Sequence, residues 1–503
     1  MDIFRIASTI RRRVTARDVV IVFALAAAYI LTRTLFLDKF PIFSDEGIYI
    51  HWAKVAWHDA TWRFISLTDG KQPLQTWGTI PFLKLFPSNM LLGARMFAVV
   101  SGFAALCGVF TITHYLFGRR AAYIGSLLYI FTPYFLFYDR MALVDSAVNA
   151  SFVWILFLSI LLARRQRLDL ALIFGIVGGF GLLAKSSVQI FVGLSALAPI
   201  LFFERNRRRF VRQSVNYYVL YVLGVVIAVV IYNVQRLSPF LHFVAEKNTT
   251  FVKTFAEFRA DPFDILGRNL LLVPQYVAGE SGYVITILGL IGLFLLYKKH
   301  KTLALYLAAW IVIPYVMVGF FSKVLFPRYI IFFATTLLIP ATYLLATVKK
   351  RNLFAIAVVA YIASIAFFEY TIIWDHKDIP FPPVDRGQYI EGWPAGWGMK
   401  DIIEFARGKS KEKPVILLAE GNFGLAGDVL DSLLKPSDTI SIRAYWPLNE
   451  GTLKENQKDL DGNLIYIVLA HEKTYPESWP MRLVKRFDKP GNQSVTYLYE
   501  LTR

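Results

Sequence analysis

Residues 41–47 of the chain read Pro-Ile-Phe-Ser-Asp-Glu-Gly and open a polar stretch, residues 38–90, between the first two long hydrophobic runs. The same stretch later reads Asp69-Gly70-Lys71-Gln72-Pro73-Leu74, shortly before the chain becomes apolar again. An adjacent pair of carboxylates and a lysine close to a proline therefore lie near a membrane surface, provided that the flanking runs span the membrane. The composition of the chain decides that condition.

The chain has 503 residues, of which 56% are hydrophobic and only 18% are charged, whereas about a quarter are charged in soluble domains. Apolar runs of about twenty residues recur, and that length crosses a hydrocarbon core about 30 Å thick. The sequence therefore predicts a polytopic α-helical membrane protein. Hydropathy predicts about eleven spans, near residues 18–37, 91–116, 120–138, 144–163, 168–184, 187–203, 215–233, 282–297, 302–321, 329–348 and 353–373.

The short connections on one predicted side of the membrane are basic, at residues 11–13, 119–120, 164–167, 205–212, 298–301 and 349–351. The positive-inside rule assigns this side, and with it the N-terminus, to the cytoplasm. We therefore expect a multi-pass protein of the cytoplasmic membrane, with residues 38–90, residues 234–281 and everything after Trp374 outside. Much of the net charge of +18 is then a topology signal, and we expect no binding of nucleic acid.

The composition changes after Asp375, which divides the chain into a membrane domain, residues 1–375, and a C-terminal domain, residues 376–503. A linker rich in proline and glycine leads into a helical pattern near Met399–Arg407. Five short runs rich in β-forming residues follow, at 415–419, 439–445, 464–469, 482–487 and 495–501. The pattern predicts a small extracytoplasmic α/β domain. Its motifs are weak, so we expect it to stabilise the protein or guide an acceptor rather than to catalyse.

Asp45 and Glu46 are the first candidate site residues. Ser44 is expected to cap a helix that continues through Trp52 and Val55, which puts both acids in the first turn. Acids there can simply complement the helix dipole. The same dipole also keeps Asp45 ionised, as a general base must be. This stretch alone leaves both interpretations open.

A third carboxylate, Asp145, begins a predicted span in a segment where ionisable residues are costly and usually paired or functional. The alternative is an ion pair with Arg140 that only holds the turn. The predicted outer side also carries positive charges, against the usual bias: Arg140, Lys185, Lys323 and Arg328 near span ends, and Lys71 in the polar stretch. Each alone can reach a lipid headgroup, but together they suit a phosphate held at the membrane surface.

These residue types fit the transfer of a sugar from a polyprenyl-phosphate carrier. Phosphate leaves as a stable anion, so the reaction needs a base for the acceptor and cations on the leaving group. A glycosidase, by contrast, must also protonate its leaving group. A single displacement inverts the anomeric carbon. The sequence contains no spacing of His or Cys that is typical of a metal site, and we expect neither a metal nor a cofactor.

Five motifs also occur in the order found in one known family: Ser44-Asp45-Glu46, Lys71-Gln72-Pro73-Leu74, Arg140 to Asp145, Leu183-Ala184-Lys185-Ser186 and Phe326-Pro327-Arg328-Tyr329. Over about residues 15–375 the chain resembles the C-type (GT-C) membrane glycosyltransferases, in particular the branch of protein mannosyltransferases and lipid A aminoarabinose transferases. One departure is Gln72, which stands where the family usually has a proline.

The resemblance implies that Asp45 is the base, that Glu46 contacts acceptor or sugar, and that Asp145 helps to place the substrates. Lys71 is implied as a ligand of the donor phosphate. The other candidate phosphate ligands are Arg140, Lys185, Arg328 and Tyr329. The expected partners are a polyprenyl-phosphate-linked sugar, membrane lipids, and a protein, lipid or glycan acceptor.

Three alternatives remain open at this point. A polyprenyl-lipid flippase also buries charges among its spans, although repeats or broken midplane helices are expected there. An oligosaccharyl transferase is a near relative, but the metal-binding acids and the Trp-Trp-Asp motif expected for it are not found. A non-catalytic scaffold that binds through its outer domain is the third alternative, because a fold alone does not fix a function.

Overall fold

The computed structural model describes residues 15–203, 206–421 and 423–503. The basic segment 11–13, Arg205 of the basic segment 205–212, and Asn422 of the C-terminal domain lie outside these residues. Within them, the helices of the first half of the chain are α1 (Ala16–Thr34), α2 (Ser44–His58), α3 (Leu74–Leu85), α4 (Met90–Phe117), α5 (Arg119–Phe131), α6 (Pro133–Tyr138), α7 (Asp145–Arg165), α8 (Leu168–Ala184), α9 (Val188–Ser195), α10 (Arg207–Tyr232) and α11 (His242–Phe251).

The helices of the second half are α12 (Phe255–Ala260), α13 (Leu266–Ser281), α14 (Tyr283–Lys299), α15 (Lys301–Phe321), α16 (Ile331–Thr347), α17 (Arg351–Ile373), α18 (Pro383–Arg386), α19 (Met399–Lys409), α20 (Gly427–Leu433) and α21 (Glu450–Asn456). Residues 234–281 are therefore largely helical. The strands are β1 (Val415–Glu420), β2 (Ile440–Tyr445), β3 (Leu464–Leu469), β4 (Met481–Asp488) and β5 (Val495–Leu501).

The protein is a helical membrane protein, as the sequence predicts. In the described part of the chain, six helical segments are long and apolar enough to cross a membrane: Met90–Phe117, Asp145–Arg165, Arg207–Leu237, Lys301–Phe321, Pro327–Thr347 and Arg351–Ile373. Helices α13 and α14 are also long and apolar enough to cross a membrane if they are taken together as one span, although the chain bends by 112° between them. Each of the eleven predicted spans coincides with helix, but the number of crossings stays a prediction.

Two predicted spans are interrupted. The predicted span 120–138 is not one continuous helix, because α5 ends at Phe131 and α6 begins at Pro133; its crossing of the membrane stays a prediction. Proline lacks an amide hydrogen and favours the first position of a helix, so it starts a new helix here. The run 187–203 is likewise split into α9 and a 3₁₀ turn at Ala198–Phe202. At 1.5 Å per residue, the 13 residues of α5 cover only about 20 Å.

Helix α7 lies at the centre of the membrane-embedded body, where 89% of its most apolar 18-residue stretch is buried. Its Phe152 packs edge-on against Phe191 and Trp310, with ring centroids 4.9 and 5.5 Å away, and tilts against Phe332 at 5.5 Å. Interlocked aromatic rings of this kind fix the position of a helix, since protein interiors are packed as densely as organic crystals. Asp145, the first residue of α7, is therefore held in place.

The C-terminal domain contains a five-stranded sheet in the order β2-β1-β3-β5-β4. Strand β1 pairs in parallel with both β2 and β3, whereas β5 runs antiparallel to β3 and β4. All five predicted strands and the helix predicted near Met399 are confirmed, with ends that shift by one or two residues. The division of the chain between residues 375 and 376 stays a prediction.

This domain shares a hydrophobic core with α2, in which Ile50 and Ala53 pack with Ile402, Val429 and Leu417. A Cβ on Gly47 would lie 2.6 Å from Cγ2 of Val429, so only glycine permits this close approach.

The chain just before α2 pairs with the linker. Ser44 N–H donates to the carbonyl of Pro394 at 3.0 Å, and Gly396 N–H donates to the carbonyl of Ile42 at 2.8 Å. The first turn of α2 is thus fixed from both sides. We use the term domain side for the end of the membrane helices that carries the C-terminal domain and residues 38–90 and 234–281.

Candidate active site

Asp45 lies between two cations on the domain side. Its Oδ1 is 3.6 Å from Nζ of Lys71, and its Oδ2 is 2.9 Å from a guanidinium nitrogen of Arg328. The side chain of Asp45 is 24% exposed, whereas that of Arg328 is only 8% exposed. Three parts of the chain that are separate in sequence therefore meet at one point. They are the first turn of α2, the segment before α3 and the turn before α16.

Lys71 contacts further groups that hold its ammonium in place. Oδ2 of Asp69 lies 3.5 Å from it, and the rings of Tyr49 and Trp52 lie within 5.2 and 5.5 Å. Asp69 in turn accepts a hydrogen bond from Lys247 at 2.6 Å. Our sequence reasoning did not single out Asp69 or Lys247. The only sequence signal for Asp69 was its position two residues before Lys71.

A second ion pair lies beside the first. Lys185 donates to Asp145 Oδ1 at 3.0 Å, and its Nζ lies 3.9 Å from the centre of the Tyr329 ring. The guanidinium of Arg328 lies 5.3 Å from the same ring. Tyr329 thus contacts a cation of each pair. We call Asp45, Lys71, Asp145, Lys185, Arg328 and Tyr329 the charged cluster.

The electrostatics of Asp45 follow from this geometry. Burial disfavours its ionised form, but Lys71 and Arg328 outweigh burial and lower the pKa of Asp45 from 3.8 to about 2. Asp45 is therefore ionised at neutral pH. With both cations in contact it is also a weak base, and it becomes a stronger one only when they turn to another anion.

Glu46 does not join the charged cluster. It is fully buried and forms a two-pronged ion pair with Arg95, at 2.8 and 2.7 Å. It also accepts hydrogen bonds from the N–H groups of Phe43 and Ala142. Glu46 rather than Ser44 therefore provides the side-chain hydrogen bond at the start of α2, because its carboxylate reaches back to the N–H of Phe43, the residue before the helix. The side chain ties the first turn of α2 to the segment before α7.

Arg140 also lies apart from the charged cluster. Its guanidinium donates to the carbonyls of Thr32, Arg33 and Leu35, at 2.7, 3.2 and 2.9 Å. The carbonyls of Thr32 and Arg33 belong to the last turn of α1 and that of Leu35 follows it, so they have no partner within the helix. The ion pair between Arg140 and Asp145, which the sequence left open, is not formed, since Asp145 pairs with Lys185 instead.

A further pair of acids, Glu280 and Asp385, is fully buried next to the charged cluster. Asp385 accepts a hydrogen bond from the hydroxyl of Tyr138. Glu280 shares a hydrogen bond with Asp385, and no other described residue donates to its carboxylate oxygens. Burial raises the pKa of Asp385 to about 7. The two acids are 105 positions apart, and no local pattern in the sequence predicted their meeting.

No group of three or more His, Cys, Asp or Glu side chains in the described ranges is placed to hold a metal ion. The expectation of a metal-free site stays a prediction.

The fold is similar to that of known membrane enzymes. ArnT from Cupriavidus metallidurans bound to undecaprenyl phosphate matches with a TM-score of 0.61 and 15% identity, over 95% of this chain and 97% of that one. The apo form of the same protein gives a TM-score of 0.60. The oligosaccharyltransferase of Archaeoglobus fulgidus matches with a TM-score of 0.52 and 13% identity, over 89% of this chain and 67% of that one.

The chain has the C-type glycosyltransferase fold. Residues 71–232 also match the family model of dolichyl-phosphate-mannose-protein mannosyltransferases. The matched segment is about a third of the chain and includes Lys71, Asp145 and Lys185, but neither Asp45 nor Arg328. No curated protein matches the sequence. The family match and the C-type fold together indicate a glycosyltransferase.

Proposed function

We propose that the protein transfers a sugar from a polyprenyl phosphate to an acceptor on the outer face of the cytoplasmic membrane, with inversion at the anomeric carbon. The observation that carries this proposal is the position of Asp45 between Lys71 and Arg328. A carboxylate beside two cations supplies both groups that the reaction needs, a base and a binding site for phosphate. The bound undecaprenyl phosphate of ArnT supports the class of donor.

The reaction begins when the donor phosphate replaces Asp45 as the partner of Lys71 and Arg328. Both cations then stabilise the phosphate as charge develops on it. Asp45 loses its two positive neighbours, so its pKa rises towards the ordinary value and it becomes a better base. Binding of the donor thus prepares the base.

The transfer step is a single displacement. The acceptor hydroxyl or amine gives its proton to Asp45 as its oxygen or nitrogen attacks the anomeric carbon. The bond between that carbon and the phosphate oxygen breaks, and its electron pair stays on the phosphate. Lys185 and Asp145 line the same region through Tyr329 and hold the sugar or the acceptor in position for the attack.

The orientation of the protein follows from its basic connections. Residues such as Arg164, Arg165, Lys298 and Lys299 lie at the ends of helices opposite the charged cluster. If these ends face the cytoplasm, as the positive-inside rule requires, the domain side faces outward. The same assignment puts the N-terminus inside. Accessibility labelling of single introduced cysteines on both sides would test it.

The transfer assay uses purified protein in lipid vesicles, a series of radiolabelled polyprenyl-phosphate sugars, and membranes of cells that lack the protein as the source of acceptor. We expect transfer of label by the wild type and its loss in Asp45→Asn. Asp459→Asn, which alters an ion pair with Arg443 within the C-terminal domain, serves as the control. Movement of the intact donor across the vesicle without bond cleavage would instead support a flippase.

A further inference from the structure

The carboxyl ends of β1 and β3 lie side by side in the C-terminal sheet. These neighbouring parallel strands pair between Val415 and Leu464 at one end and between Ala419 and Val468 at the other. The chain leaves β1 towards β2 on one side of it, whereas β3 lies on the other side. Such a point, where the strand order reverses, leaves a crevice in which open α/β sheets bind ligands.

Two polar side chains occupy this crevice. Glu420, the last residue of β1, accepts hydrogen bonds through Oε2 from the N–H groups of Ala470 and His471 and from the hydroxyl of Tyr475. Nδ1 of His471 lies 3.1 Å from the same oxygen. The described residues give no hydrogen bond to the other oxygen, Oε1. A carboxylate and an imidazole are therefore fixed at the edge of the sheet.

Two large aromatic side chains, Trp393 and Trp446, flank this edge and remain exposed, and Phe423 follows the end of β1 by three residues. The rings of Trp393 and Trp446 lie 5.0 and 5.3 Å from the ring of His471. Trp393 is 45% exposed, Phe423 is 48% exposed and Trp446 is 65% exposed. Exposed apolar residues that are grouped in this way usually mark a site of interaction. We call Trp393, Phe423, Trp446, Glu420 and His471 the aromatic crevice.

One residue of the aromatic crevice, Phe423, lies on the side of the charged cluster. The ring of Phe423 lies 5.8 Å from that of Trp52, and Trp52 lies 5.5 Å from Nζ of Lys71. Gly424 packs so closely on the first turn of α2 that a Cβ would lie 2.6 Å from the hydroxyl of Ser44. A ligand that covers Phe423 therefore reaches the candidate active site through one further aromatic side chain.

We infer that the aromatic crevice binds a sugar ring of the acceptor and presents it to Asp45. The faces of sugar rings carry C–H groups with partial positive charge, which pack on the electron-rich faces of tryptophan. The hydroxyls at the edge of the ring find Glu420 and His471 as hydrogen-bond partners. A few fixed polar groups among aromatic walls are also the usual composition of a small-molecule site. The inference rests on the proposed function and names the class of its acceptor, a glycan or glycolipid.

Charge separates this class from a phosphate ligand. The carboxylate of Glu420 repels an anion, whereas a neutral hydroxyl or a sugar amine donates to it. The donor phosphate therefore belongs to the charged cluster, and the acceptor sugar belongs to the aromatic crevice.

Kinetics of the full-length protein in vesicles test the inference, with radiolabelled donor and acceptor membranes as above. In Trp446→Ala and in Trp393→Ala, the KM for the acceptor membranes should rise at least tenfold, while kcat changes less than threefold. The affinity for polyprenyl phosphate should not change. Trp446→Phe keeps an aromatic face and should restore most of the affinity. Leu483→Ala, at an exposed apolar residue of β4 in the same domain, is the control.

The outcomes are distinguishable. Wild-type transfer with an unchanged acceptor KM in both tryptophan variants would overturn the inference and leave the proposed function standing. A label found directly on a peptide side chain, with no sugar between them, would also overturn it. No transfer and no polyprenyl-phosphate binding by the wild type would instead refute the proposed function itself.

Discussion

Replacement of Asp45 by asparagine separates the two roles that the charged cluster combines. Asparagine has nearly the same shape but carries no charge and cannot accept a proton. In the structure, the cations lower the pKa of Asp45 from 3.8 to about 2 against the opposing effect of burial. At about 1.4 kcal/mol per pKa unit, the environment stabilises this carboxylate by about 2.5 kcal/mol.

The expected result is opposite for transfer and for binding. Loss of a general base lowers the transfer rate by about 10²–10⁴-fold. A donor phosphate no longer competes with Asp45 for Lys71 and Arg328, so its affinity should stay the same or rise. The upper limit of that rise is about sixtyfold, which is the equilibrium equivalent of about 2.5 kcal/mol.

Two measurements on the same Asp45→Asn preparation are needed, initial rates of label transfer and the dissociation constant of undecaprenyl phosphate in detergent micelles. Asp459→Asn is a matched control, since Asp459 is 28% exposed and pairs with Arg443 at 2.5 Å. It should leave both quantities unchanged. Transfer at the wild-type rate in Asp45→Asn would refute the base. A loss of donor affinity in this variant would refute the competition between Asp45 and the phosphate.

Other substitutions and conditions give further expectations. Lys71→Ala should weaken binding of undecaprenyl phosphate by about ten- to a hundredfold, the value of a lost charge-assisted hydrogen bond, and an unchanged affinity would remove this lysine from the site. EDTA should leave transfer intact, and its loss would contradict a metal-free mechanism. Glu46→Gln should lower the free energy of unfolding by about 3–5 kcal/mol, because it leaves Arg95 buried without its partner; an unaltered melting temperature in detergent would contradict this. Asp385, with its raised pKa of about 7 against 3.8, holds a proton that the unfolded chain releases, so the stability of the wild type should fall as pH rises from about 4 to 7. In Asp385→Asn the stability should fall less over this pH range, as measured by thermal unfolding at several pH values. The same pH dependence in the variant and the wild type would refute this role of Asp385.

The sequence by itself determined the class of the protein. The apolar spans and the five strands can be predicted from the sequence because each depends on a local pattern of many residues. One residue that departs from the pattern does not change the prediction. The candidate residues Asp45 and Lys71 were chosen from the polar stretch 38–90, and Arg328 was chosen because it lies at a span end on the outer side, against the basic bias. The structure brings these three together. The breaks at Pro133 and Ala198 were missed because hydropathy averages over a window that includes the proline.

Only the tertiary structure decided which charges belong to the site. Glu46 and Asp45 are neighbours in sequence, yet one turns to Arg95 in the interior and the other to Lys71. Arg140 is bound by the carbonyl ends of α1, which no pattern around Arg140 reveals. The partner of a charged side chain depends on which distant backbone and side-chain groups face it after packing. That information is spread over the whole fold, and hydropathy and local spacing do not contain it.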